Sequence, residues 1–379
     1  MSKKIKIYCV LFDAVPLGEN IISFAQENKM NLLRQIGGCS TQFSCVKMLT
    51  GKLPSDLKKN GIGYFTGRPL IREKKKWRWE KDFITSKLLK QGWNVRYHNG
   101  HNFAKWLSND AAIEMCNSYS RSKKPYLVQR GDEAAALFKK MINHIERIQR
   151  EKIVRNTMHF MYYEHIHLAY SFCGKPKYFR ALKRAKVKIK KIMEKWDLNE
   201  PNAIFWFFSD HGNWNLQPDM RHPNPQMYYS WALVKDNTKN PIKINSNFIS
   251  IRDFFPTIMN KFNYEFKPFL NVNKEEIVDV FSIEEKQNEE RVYYIEDSRR
   301  RINKYGVTTK GVSKFINWEN NKPTGIVQVS YHSADSTWDS KYTILKDDTL
   351  VDKTIDIKNI DKGLVDALKK RYKQIDMEN

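Results

Sequence analysis

Six consecutive apolar residues, Ala203-Ile204-Phe205-Trp206-Phe207-Phe208, end abruptly in Ser209-Asp210-His211-Gly212. A short run without alternation reads as a strand buried on both faces, since a half-exposed strand would carry a polar residue at every second position. Such a strand needs covering layers on both sides, which restricts the chain to a sheet with helices packed on each face. The run stops at the carboxyl end of a strand, where sheets of this kind keep their functional groups. Asp210 and His211 offer an oxygen and a nitrogen ligand to a metal, and Gly212 lets the backbone turn away at once.

The remaining periodicity agrees. Residues 6–12 are strand-like, and 18–37 read as a helix with Ile21, Ile22, Phe24, Leu32, Leu33 and Ile36 on its apolar side. Residues 81–91 predict a helix ended by Gly92, and 93–97 a short strand. Residues 132–155 predict a long amphipathic helix, 158–163 a strand, and 177–196 a further helix. This alternation predicts an α/β fold, a mostly parallel sheet with helices on both faces. After about residue 270 the composition turns polar, and short strands at 291–295, 326–331 and 342–345 precede a helix over 364–375. The expected organisation is a catalytic core over 1–270 and a small antiparallel C-terminal subdomain over 271–379, packed on that core.

Lysines and arginines number 66 against 42 aspartates and glutamates, a formal charge of +24. Such a balance attracts phosphorylated or sulfated substrates, nucleic acid or acidic lipid surfaces. Segment 180–195 shows where many of the cations go: Leu182, Ala185, Val187, Ile189 and Ile192 mark the buried side of a helix whose other face is basic. No zinc knuckle, RNP motif or helix-turn-helix signature is present, so nucleic acid is not the favoured partner. No apolar run approaches the length of a bilayer span. The N-terminal apolar stretch is too short for a signal sequence and runs into Asp13, which predicts a first strand and a cytoplasmic address. Cys9, Cys39, Cys45, Cys116 and Cys173 form no CxxC pair and read as reduced thiols.

The predicted first strand ends in Asp13, as the apolar run ends in Asp210. In a parallel sheet the carboxyl ends of neighbouring strands share an edge, so two distant carboxylates can converge. With His211 they supply three ligands to a divalent cation and leave a position open, as a catalytic site requires.

The segment Ser40-Thr41-Gln42-Phe43-Ser44-Cys45-Val46-Lys47-Met48-Leu49-Thr50-Gly51-Lys52-Leu53-Pro54 resembles the nucleophile motif of the alkaline phosphatase superfamily, in its sulfatase-like and phosphodiesterase-like branches. There a Cys, Ser or Thr opens a helix nine residues before a Thr-Gly pair that precedes a Pro; here that position is Thr41. Asp13 stands where the family has its first-strand acidic ligand, and Ser209-Asp210-His211-Gly212 match its Ser-Asp-His-Gly motif. Residues 251–258 resemble its Asp-x-x-Pro-Thr landmark, and the C-terminal strands fit its small subdomain. The resemblance runs over nearly the whole chain. It implies an alkaline phosphatase-like fold, with a divalent metal (Mn²⁺, Zn²⁺ or Mg²⁺ ahead of Ca²⁺) held by Asp13, Thr41, Asp210 and His211. It also makes Thr41 the nucleophile. A helix N-terminus suits an oxyanion, and a metal touching a hydroxyl makes it nucleophilic.

Sulfatases of this superfamily carry a Cys or Ser in a Cys-x-Pro-Ser-Arg context that becomes formylglycine, and neither Cys39 nor Cys45 rebuilds it. A Thr nucleophile resembles instead the nucleotide phosphodiesterases and the lipoteichoic acid synthase and phosphoethanolamine transferase group. Tyr97-His98-Asn99-Gly100-His101-Asn102 resembles the His-Gly-Asn segment of the latter, which makes His98 or His101 a phosphate contact. His167-Leu168-Ala169-Tyr170 resembles their His-x-Pro-Tyr motif without the Pro, with His167 as donor to phosphoryl oxygens. Glu164, His165 and His222 are candidates for a second metal, but the Asp-x-x-x-His arrangement of two-metal phosphodiesterases is not cleanly present. One metal is therefore expected, with His222 as a substrate contact. The expected function is a metal-dependent phosphodiester hydrolase or phosphotransferase acting on an anionic phospho- or sulfo-ester, glycan- or lipid-linked. The alternatives are a sulfuric ester hydrolase, or a non-catalytic polyanion-binding protein on a degenerate phosphatase-like core.

Overall fold

The computed structural model describes residues 4–38, 41–53, 70–73, 76–79, 84–99, 132–163, 186–212, 225–244, 248–266, 291–299, 307–320, 322–332, 336–346, 350–359 and 361–372. Its strands are β1 (Lys6–Phe12), β2 (Asn31–Ile36), β3 (Leu70–Glu73), β4 (Lys76–Trp79), β5 (Asn94–Asn99), β6 (Thr157–Tyr163), β7 (Ala203–Phe208), β8 (Tyr229–Asp236) and β9 (Phe248–Ser250). They continue with β10 (Val292–Arg299), β11 (Val307–Glu319), β12 (Lys322–His332), β13 (Thr337–Lys346) and β14 (Leu350–Asp356). The main sheet has the order β5-β6-β1-β7-β8-β2-β9, a second sheet runs β10-β11-β12-β13-β14, and β3 pairs with β4. In the main sheet β5, β6, β1 and β7 are parallel neighbours and β8 runs antiparallel to β7. The second sheet is antiparallel throughout. The expected mostly parallel α/β sheet and C-terminal antiparallel sheet are both present.

The chain divides into two compact units, Met1–Leu33 with Glu73–Asp210 and Trp231–Ile242, and Arg34–Arg72 with His211–Ser230 and Lys243–Asn379. In the first, every residue of β1, β6 and β7 is buried, which explains why none of these strands alternates. Tyr8, Val10 and Phe12 share one face with Met161, Phe205, Phe207, Trp231 and Leu233, covered by Ile145 and Ile148 of helix Asp132–Arg150 and by Ile189 and Ile192. Each such side chain stabilises by about 1.5–3 kcal/mol on burial. In the second unit Tyr293, Phe315 and Ile326 pack with Phe248, while Tyr294, Val312 and Val329 pack under Leu364 and Leu368 of helix Lys362–Arg371.

One expected element is corrected. Residues 18–37 are not a single helix: helix Glu19–Glu27 stops and β2 begins at Asn31. The stop is a Schellman turn, with Lys29 at φ +52°, its N–H on Gln26 O at 3.2 Å, and Met30 N–H on Ala25 O at 2.9 Å. That position usually carries glycine, so lysine there gave no signal. The parallel pairing of β2 with β9, Arg34↔Phe248 to Ile36↔Ser250, then claims Leu32, Leu33 and Ile36 for a strand. Strands β3, β4, β8, β9, β11 and β14 were not expected either.

Candidate active site

The β1–β7 register runs from Lys6↔Ala203 to Leu11↔Phe208. Continued two residues beyond the ladder, it sets Asp13 opposite Asp210. The chain holds this alignment with its own backbone. Asp13 N–H donates to Tyr163 O at 3.0 Å, Ala14 N–H to Asp210 Oδ1 at 3.1 Å, and Val15 N–H to Ser209 Oγ at 2.9 Å. Ala14 makes the turn at φ +58°, a left-handed conformation that costs a residue with a Cβ roughly 1–2 kcal/mol. Such strain, held by its surroundings, is what functional edges carry. The Tyr162 hydroxyl donates to Asp13 Oδ2.

Asp13, Asp210 and His211 are each no more than 1 % exposed. They can each offer one ligand atom such that all three atoms lie within 4.8 Å of one another. The ring of His211 contacts Gly212 O through Nδ1 at 2.9 Å; a carbonyl only accepts, so the proton sits on Nδ1 and the lone pair on Nε2. Two buried carboxylates this close repel each other, and a divalent cation relieves that repulsion. Two carboxylate oxygens and a neutral imidazole nitrogen suit Mg²⁺, Mn²⁺ or Zn²⁺. The cluster fits a divalent metal.

Thr41 is the first residue of helix Thr41–Thr50; its side chain lies outside the described residues. The helix buries Ser44, Cys45, Lys47, Met48, Leu49 and Thr50. At its entry, a Cβ on Gly38 would meet Ser44 Oγ at 2.3 Å and Ser44 N at 3.1 Å, so any larger residue there forces Ser44 to shift. At its exit Gly51 adopts φ +68° and its N–H reaches Lys47 O at 2.8 Å, a left-handed helix stop. Buried Arg252 then donates through Nε to Gly51 O at 2.9 Å, a cation on the last carbonyls of the helix. The neighbouring Asp253 accepts from Ser250 N–H at 2.8 Å and from Arg291 Nη2 at 2.7 Å. The Thr-Gly pair and the Asp-x-x-Pro-Thr segment, distant in sequence, thus anchor one helix.

His98 lies elsewhere. It is buried on β5 in a chain of rings, with Nε2 2.9 Å from His159 Nδ1 and Nδ1 2.9 Å from His144 Nε2. Arg147 Nη2 donates to His144 Nδ1 at 3.1 Å. An arginine only donates, so all three rings must be neutral and protonated on Nε2 for each bond to form. Burial pushes His144 down to about 4 and His159 to about 3, and holds His98 well below 6.5. The unfolded chain therefore takes up protons near pH 6.5 that the folded chain refuses. Stability is full above that pH and falls as pH drops through 6.5 toward 4, by up to about 1.4 kcal/mol per pH unit for each histidine. Urea unfolding at steps between pH 7 and 5 should show this fall, and His144→Gln should flatten it. A wild-type stability that stays level over that range would refute it. The structure does not bring His98 to the Asp13, Asp210 and His211 cluster. His101, His167 and His222 lie outside the described residues.

No protein-family model and no curated protein sequence matches the chain. Solved structures do. A member of the alkaline phosphatase superfamily from Vibrio parahaemolyticus matches with a TM-score of 0.55 at 12 % identity, over 98 % of this chain and 86 % of its own. A Bacteroides thetaiotaomicron protein named as a sulfatase matches with a TM-score of 0.56 at 9 % identity, over 89 % and 84 %. The protein BT4656, solved with its substrate D-glucosamine-2-N,6-O-disulfate, matches with a TM-score of 0.56 at 11 % identity, over 99 % of each chain. This chain has the alkaline phosphatase-like fold. At such identities the likeness extends to the backbone alone, so the chemistry of the site rests on the residues described above.

Within the alkaline phosphatase-like fold, Tyr162 and Ala14 hold the Asp13 and Asp210 carboxylates, and Arg252 and Arg291 brace the end of helix Thr41–Thr50 through Gly51 and Asp253. Tyr162 gave no local signal: only the β1–β6 register pairs it with Leu11, two residues before Asp13 and on the same side of the strand. Arg252 lies within the 251–258 landmark, but neither its buried bond to Gly51 nor that of Arg291 to Asp253 has a local sequence signal.

Proposed function

We propose that this chain is a divalent-metal-dependent phosphodiester hydrolase or phosphotransferase with Thr41 as its nucleophile. The observation that carries the reading is the buried cluster of Asp13, Asp210 and His211, opposite one another at the carboxyl ends of β1 and β7. These three, with the Thr41 hydroxyl, would hold the metal. When bound, the cation would lower the pKa of that hydroxyl and offset charge on the phosphoryl oxygens. Thr41 Oγ1 would form a bond to phosphorus as the ester oxygen leaves. Water or an acceptor hydroxyl would then form its own bond to phosphorus and release Thr41. The helix N-terminus at Thr41 favours the developing negative charge. His167, His101 and His222 are proposed contacts to the substrate; His98 is already engaged by His144 and His159.

A sulfuric ester hydrolase is the second reading, favoured by the fold shared with a protein whose substrate is a disulfated glucosamine. Against it, threonine carries a methyl group on Cβ, so oxidation at position 41 would yield a ketone and not the aldehyde of formylglycine. The test is hydrolysis of bis(p-nitrophenyl) phosphate and p-nitrophenyl sulfate by the full-length protein, before and after EDTA and with Mn²⁺, Zn²⁺ or Mg²⁺ restored. Diester turnover that EDTA stops and one cation restores is expected. Turnover indifferent to chelation would overturn the metal mechanism, and preference for the sulfate would move the assignment to the second reading.

A further inference from the structure

The second unit carries a groove that plays no part in the site above. It is an open depression of about 950 Å³ between β13 and helix Lys362–Arg371, lined by Trp338, Val365, Asn359, Asp366 and the lysines 358, 362 and 369. Trp338 is half-buried: its ring lies 5.2 Å from that of Tyr331, tilted by 55°, and it also lines the groove. Lys358, Lys362, Lys369, Asn359 and Asp366 are exposed. No ion pair involving the three lysines occurs among the described residues.

We infer that this groove binds a short anionic oligosaccharide, one whose sugars bear sulfate or phosphate groups. Each side chain answers a feature of that ligand. The flat apolar face of a sugar ring stacks on an indole, which also has a polar edge to spare. Vicinal hydroxyls both donate and accept, matching the carboxylate of Asp366 and the amide of Asn359. Lysine ammoniums are compact point charges suited to tetrahedral anions that protrude from such a ring. The volume falls in the range of sites for small ligands of a few rings. Nucleic acid fits less well: a strand needs successive aromatic platforms, and among the described residues Trp338 is the one aromatic side chain lining the groove.

The inference does not depend on Thr41 or on the metal. Its test is binding to the full-length protein, by calorimetry, of a heparin-derived sulfated tetrasaccharide, its desulfated form, a phosphorylated mannopentaose and a single-stranded DNA 12-mer. Binding of a sulfated or phosphorylated sugar is expected, and whichever is tighter names the substituent. Lys362→Gln/Lys369→Gln, at exposed positions that leave the fold intact, should weaken it by about tenfold. Asp366→Asn should weaken the sugar yet strengthen DNA, a split that charge alone cannot produce. Trp338→Ala should remove the remainder, with circular dichroism confirming a native fold. If Asp366→Asn strengthens sugar and DNA alike, or if DNA binds more tightly than either anionic sugar, the groove is a general polyanion patch and the inference fails. Absence of binding to every sugar also overturns it.

Discussion

Thr41→Ala stops turnover of a phosphodiester, by roughly 10⁴-fold or more, while the protein still takes up its metal. Loss of a covalent nucleophile removes the step itself, and in well-studied cases costs about as much as removing the whole catalytic group. The protein side of the metal site should survive in part, because Asp13, Asp210 and His211 remain held by backbone hydrogen bonds independent of the threonine. Helix Thr41–Thr50 should also survive, since its entry rests on Gly38 and its exit on Gly51 and Arg252. Single-turnover hydrolysis and Mn²⁺ titration of the same preparation separate the two effects. Activity within tenfold of wild type would remove Thr41 from the mechanism. Lost activity together with lost metal affinity would make it a ligand first.

The largest effect on stability is expected from Arg291→Met. Arg291 and Asp253 form a salt bridge of 2.7 Å with side-chain exposures of 2 % and 0 %. Removing one partner of such a pair strands a buried charge and costs about 3–5 kcal/mol, a large share of the 5–15 kcal/mol that holds a typical domain. The damage should spread to the candidate nucleophile, because Asp253 also caps Ser250 and adjoins Arg252, whose guanidinium holds the Gly51 carbonyl. Removing both charges, as in Arg291→Met/Asp253→Asn, should recover part of the loss, since a neutral pair leaves no uncompensated ion. Denaturant midpoints of the three proteins decide the matter. A single variant within 1 kcal/mol of wild type would show that the bridge contributes little.

The sequence legibly carried the parts of this molecule that depend on local pattern. Unbroken apolar runs in β1 and β7 name strands covered on both faces, because only full burial removes the need for polar alternation. The abrupt carboxylates after those runs mark the sheet's carboxyl edge. Residues 18–37 misled because helix and strand can share a loose apolar spacing, and because the turn that separates them uses Lys29 in a conformation that glycine usually takes. His98 looked like a substrate contact by its neighbours in sequence. Register places it instead two strands from β1, beside rings from β6 and from helix Asp132–Arg150, which no local pattern announces.

By itself, then, the chain of residues determined the layered α/β fold, the two strand ends that bear acid, and the residue types able to hold a metal. Those properties follow from burial and from donor chemistry, which each segment carries wherever it is put. Only the tertiary structure decided that Asp13 meets Asp210 just past the β1–β7 ladder, that Ala14 takes the strained turn after Asp13 and donates to Asp210, and that Arg252 ties a distant glycine. Hydrogen bonds between segments some two hundred residues apart depend on register and direction, and these exist only once the strands have paired.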